Sequence, residues 1–106
     1  MLTETGTLPI GIEYDGSVHR DYEIREEIVG DGIEIFDDPE TAERAEKNKA
    51  YMGICILAKQ IVKIGKIPAE AITPEMLLRC NVPDVSELQQ AVQRLEEKRR
   101  SYRDAG

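Results

Sequence analysis

Asp15-Gly16 divides two stretches of alternating apolar and polar residues, Ile10 to Tyr14 and Val18 to Ile24. Asp and Gly both tolerate the positive φ angles that a tight type I′ turn demands. The pair therefore predicts a β-hairpin. Ile10, Ile12, Tyr14, Val18, Tyr22 and Ile24 face its core, and Glu13, Arg20, Asp21 and Glu23 go to solvent or an edge. Pro9 has no amide to give a ladder and belongs at the strand's start or on an edge.

A hairpin alone is marginal and needs a covering layer; the remaining sequence supplies helix signals. Residues 25–38 admit two readings. Ile33–Phe36 could form a third strand after Gly30-Asp31-Gly32, which propensity favours, or Asp31 could cap a short helical turn with Glu34 closing a capping box. The helical turn is preferred, on the resemblance described below. Asp38 then caps a long helix with Pro39 in its first position, spanning about 39–64 and stopped by Gly65. At about 100° per residue, Ala50, Tyr51, Ile54, Cys55, Leu57, Ala58, Ile61 and Val62 share its core face. Thr73-Pro74-Glu75 starts a short helix. Asp84 and Glu87 read as a capping box for a last helix, whose stripe is Val85, Leu88, Ala91, Val92 and Leu95. The expected architecture is α+β, an N-terminal β-hairpin packed on a bundle of about three α-helices. Residues 1–106 make a single domain, with an ordered core at about 8–98 and a charged tail at 96–106 that frays or awaits a partner.

Charge narrows the function. The net charge of −7 argues against nucleic acid, since phosphate contacts need a basic surface. Residues 1–47 hold 14 acids against 4 bases, and residues 48–106 hold 7 acids against 10 bases. Such polarity suits head-to-tail association into a homo-oligomer or opposite faces for different partners. No apolar run reaches the ~20 residues of a membrane span and no signal-peptide pattern opens the chain, so a cytoplasmic location is expected.

No catalytic pattern stands out. His19 is the one histidine and is placed on the solvent side of the hairpin. Cys55 and Cys80 read as buried free thiols, and neither zinc spacing nor a calcium loop nor a phosphate loop is present. The expectation is a non-enzymatic protein without metal or cofactor. A binding strip is the better candidate. Ala45, Met52 and Ile56 project from the long helix opposite its core face, beside Lys59 and Lys63. Packing of the C-terminal helix over Met52 and Ile56 is the competing explanation.

The order of segments carries a resemblance. Tyr22-Glu23-Ile24-Arg25-Glu26 precedes Val29-Gly30-Asp31. Next come Leu57-Ala58-Lys59-Gln60-Ile61-Val62-Lys63-Ile64-Gly65 and Ile72-Thr73-Pro74-Glu75-Met76-Leu77, and then Asp84 opening a helix with Leu88, Ala91 and Leu95. Over about residues 8–98 this resembles the tail assembly chaperones of Mu-like contractile-tailed phages and prophages. The resemblance implies a protein of the host bacterial cytoplasm that binds the tape measure protein and keeps it soluble during tail tube assembly. A tail tube subunit is a second candidate partner. A small structural tail or baseplate subunit, and a bacterial protein-binding adaptor, are the alternatives.

Overall fold

The structure is a computed structural model and describes residues 1–105, with side chains described through Tyr102. The fold is α+β. Strands β1 (Thr3–Tyr14) and β2 (Ser17–Arg25) form the hairpin, and Asp15 and Gly16 take φ of 51° and 78° at its turn. Helices α1 (Val29–Ile35), α2 (Pro39–Lys47) and α3 (Lys49–Gln60) follow, then strand β3 (Ile61–Ile64). A 3-10 turn at Ala69–Ala71, helix α4 (Pro74–Leu78) and helix α5 (Val82–Ala105) complete the chain. The hairpin thus gains a third strand, in the antiparallel order β1-β2-β3. The described residues form five α-helices, where the sequence suggested about three.

The expected long helix over 39–64 is two helices and a strand. Asn48 leaves helical geometry at φ −141° and its side-chain oxygen accepts from the Tyr51 amide at 3.1 Å. Asparagine competes for backbone donors in this way, so it ends α2 and caps α3. Past Gln60 the run Ile61-Val62-Lys63-Ile64, β-branched except at Lys63, pairs with Tyr22–Ile24 of β2. A register shift between Glu23 and Ile24 brings Ile61 and Ile64 both inward, while Val62 stays exposed. Ala50 is exposed as well, so the projected helical face keeps only its middle section.

β1 departs from simple alternation. Its pairing with β2 jumps between Thr7 and Ile12, leaving residues 8–11 bulged opposite Arg20. Gly11 has φ 101° there, and a Cβ would meet Val18 and Arg20. The bulge buries Leu8 completely and turns Ile10 outward; Tyr14 and Val18 at the tip are also exposed. Pro9 sits in the bulge of this edge strand, where no ladder bond is lost. The Arg20 guanidinium donates to the carbonyls of Leu8 and Pro9. The Asp84 carboxylate accepts from the amides of Ile10 and Gly11, at 2.9 Å and 3.0 Å for the shorter contacts. Asp84 is fully buried inside the first turn of α5 and is therefore an anchor for β1 rather than a helix cap. Glu87 is likewise taken up elsewhere, accepting from the Tyr22 hydroxyl at 2.6 Å.

The main core lies between the sheet and α3, α4 and α5. It joins Leu8, Tyr22, Ile24, Ile61 and Ile64 to Leu57, Leu77, Leu88, Ala91 and Leu95. Above it Arg94 bridges Glu4 at 2.7 Å and Glu87 at 3.0 Å. The charged end of α5 remains helical, with Lys98 on Glu4 and the Thr3 carbonyl, and Arg99 on Glu26. Among the described residues no helix is long and apolar enough to cross a membrane.

Candidate partner-binding surface

Helix α1 is placed by one buried ion pair. Asp31 receives both arms of the Arg25 guanidinium, at 2.7 Å and 2.9 Å, and the Ile28 amide at 3.0 Å. Arg25 also donates to the carbonyls of Glu26 and Lys59, and Gln60 returns a bond to the Arg25 carbonyl. The end of β2, the start of α1 and the end of α3 thus meet at a single node. The guanidinium bond holds the Asp31 carboxyl below its ordinary range, against burial, which pushes it up. Asp31 is the third residue of α1 rather than its cap, and Glu34 pairs with Lys59 at 3.0 Å instead of closing a capping box.

One face of α1 is spent on this node and on Ile35, which packs with Ala45, Tyr51 and Cys55 in a second, smaller cluster. The opposite face is apolar and uncovered. Val29, Ile33 and Phe36 are 82%, 63% and 46% exposed. Their spacing of four and then three residues keeps them in one row. Ile28, just before the helix in extended backbone, is 46% exposed as well. Such contiguous exposure is what marks interaction sites, where scattered apolar residues do not. The signal was in the sequence as Val29-x-x-x-Ile33-x-x-Phe36. It goes unseen there until Asp31 and Ile35 are known to hold the inward face.

The strip read from the sequence is split. Ala45 is buried, and Met52 and Ile56 are half-buried against the small cluster, beneath α1 and α2 rather than beneath α5. Lys59 is drawn to Glu34 of α1. Lys63 lies beyond the end of α3, exposed on β3 opposite Glu23. Met52 and Ile56 can offer a partner only their exposed portions. Arg44 stacks over the Tyr51 ring at 4.1 Å, fastening α2 to α3.

The chemistry-bearing side chains are dispersed. His19 is half-buried rather than on the solvent face. Its Nδ1 accepts from the Lys66 amide at 3.2 Å, which leaves Nε2 as the donor to the Tyr14 carbonyl at 3.3 Å. Cys55 and Cys80 are free, and burial pushes both thiols up, away from the reactive thiolate. Among the described residues no three His, Cys, Asp or Glu side chains converge as metal ligands. A second apolar group, Ile10, Tyr14 and Val18, lines an open groove with Met76 and Cys80 at the hairpin tip. No family model, no curated protein and no solved structure matches this chain.

Proposed function

We propose that this protein is a phage tail assembly chaperone that binds the tape measure protein and keeps it soluble while the tail tube assembles. The uncovered apolar row of Val29, Ile33 and Phe36, on a domain of net charge −7, is the observation that carries the reading. A small acidic domain resists its own aggregation, and an exposed apolar row can mask another chain's apolar helices reversibly. The ordered segments that resemble tail assembly chaperones supply the identity of that chain.

Co-expression with the tape measure protein of the same genome tests the reading. The soluble fraction of that protein should rise, and pull-down through a tag on this chain should recover it ahead of sheath and tube subunits. Equal insolubility with and without this chain would end the proposal. An antibody to this chain that labels finished virions would replace it with a structural tail or baseplate subunit.

A further inference from the structure

The two glycines of α1 have no use inside the molecule. Gly30 and Gly32 lie in regular helix and neither has a positive φ. A Cβ at Gly32 would meet nothing within 4 Å, and one at Gly30 would make an ordinary contact of 3.9 Å with Ile28. Alanine would therefore fit at both places, and glycine is the poorest helix former after proline. A seven-residue helix carrying two of them is weakened with no gain within the chain. At about 100° per residue the pair falls on either side of the Val29-Ile33-Phe36 row. The exposed apolar ridge is thus flanked by two bare strips of backbone.

The ends of that ridge are acidic. From Glu26 to Glu40 the chain holds seven acids, Glu26, Glu27, Asp31, Glu34, Asp37, Asp38 and Glu40, and no base. Glu26, Asp31 and Glu34 are paired to Arg99, Arg25 and Lys59. Glu27 at one end of the row, and Asp37 and Glu40 at the other, have no ion-pair partner among the described residues, whereas the Asp38 carboxylate is spent on capping α2 through Thr41.

We infer that this face of α1 docks an amphipathic helix whose apolar side is flanked by Lys and Arg. The inference rests on the protein-binding reading above and names the chemistry of the partner segment. A helix offers no strand edge to extend, so the partner must arrive with its own backbone bonds already made. Bare backbone beside the ridge lets the partner's side chains seat against α1. Unpaired carboxylates at both ends select bases on the partner's flanks.

Two synthetic peptides of about 18 residues, five helical turns, test the inference by fluorescence anisotropy against the full chain. They share a Leu/Ala face, and one carries Lys and Arg flanks where the other carries Glu. The basic peptide should bind at least about tenfold more tightly, with affinity falling as salt rises. Ile33→Asp and Gly32→Ala should each weaken it about tenfold, whereas Val62→Ser on β3 should not. Gly32→Ala is the sharper variant, because it should raise the melting temperature while impairing binding; a glycine with no part in docking would raise the temperature and leave binding unchanged. Equal binding of both peptides overturns the inference, as does wild-type binding by both α1 variants. A concentration-dependent dimer in sedimentation velocity that Ile33→Asp abolishes overturns it too, by giving the face to a second copy. If the tape measure protein is solubilised equally well by Ile33→Asp, the chaperone reading stands and this inference falls. If the basic peptide binds with the stated variant effects while the tape measure protein stays insoluble, the docking face stands and the partner is another protein.

Discussion

The described residues form two apolar clusters of unequal construction. The main one gathers thirteen buried side chains, from Leu8 on β1 to Leu95 on α5, and closes contacts across almost the whole sequence. The smaller gathers four, Ile35, Ala45, Tyr51 and Cys55, all from the helical layer α1–α3. Cavity cost depends on how far the surroundings can collapse, so the same truncation should act differently in the two places. The larger cluster sets whether the chain folds. The smaller sets how firmly the layer bearing the exposed row is held, and such a layer can open on its own.

Four changes test that division. Leu88→Ala, at a fully buried site of the main cluster, should cost about 2–5 kcal/mol in a urea melt. That is a large fraction of the stability of a small domain. Ile35→Ala should cost about 2–4 kcal/mol, and its signature is regional. Hydrogen exchange should show amides of α1 and α2 losing protection while those of β2 keep it. If β2 loses protection in step, the two clusters are one cooperative unit and the division is wrong.

Asp31→Asn comes next, at about 1–3 kcal/mol, because Arg25 is partly exposed and is not stranded by the loss. Its pH dependence has a definite sign. The folded carboxyl is held below its ordinary value of 3.8, chiefly by the Arg25 bond. Its contribution is therefore whole above that value and lost as pH falls through the lowered one. The variant should have a flatter acid limb below about pH 4, seen in denaturant midpoints against pH. Glu4, lowered first by its Lys98 bond, and Glu87, lowered first by the Tyr22 hydroxyl, should keep the main cluster acid-sensitive in that variant.

The smallest effect belongs to Tyr22→Phe, about 1 kcal/mol. Burial first, and the neighbouring Glu87 second, raise the Tyr22 hydroxyl from 10.0 to about 12. A raised value means stability that is whole below 10.0 and lost as pH climbs towards about 12. The phenylalanine variant should lack that alkaline loss, and an unchanged alkaline limb would remove Tyr22 from the account.

Local signals were legible in the sequence wherever the residues that decide a conformation are neighbours. Asp15-Gly16 gave its turn, and Asp38-Pro39 and Thr73-Pro74 start helices with the side chains accepting from Thr41 and Met76. The stripe from Val85 to Leu95 also faces the core. Elsewhere the deciding partner is remote. Ile61–Ile64 fits a helical face and a strand equally well, and only the free edge of β2 selects the strand. Asp84 and Glu87 have capping-box spacing, yet their acceptors are claimed by donors 74 and 65 residues away. Asn48 did carry a capping signal, outweighed by the periodicity on both sides of it. For the candidate surface, the sequence located a Lys-rimmed strip on α3 but not the layer that settles over it. The exposed row on α1 emerged only once its inward face was known.

The bond from Asp84 to the bulge also sets an order of events in time. The amides of Ile10 and Gly11 find their acceptor 74 and 73 residues later in the chain. Lys98 reaches the Thr3 carbonyl across 95 residues. At a synthesis rate of about 5–20 residues per second, β1 waits roughly 5–20 s for α5 to exist. Until then the hairpin lacks the α5 side of its core, and only the Arg20 bonds to the Leu8 and Pro9 carbonyls hold the bulge. The first strand to be made is thus the last to have its bulge amides satisfied, and contacts this distant in sequence make the closing step slow for so short a chain.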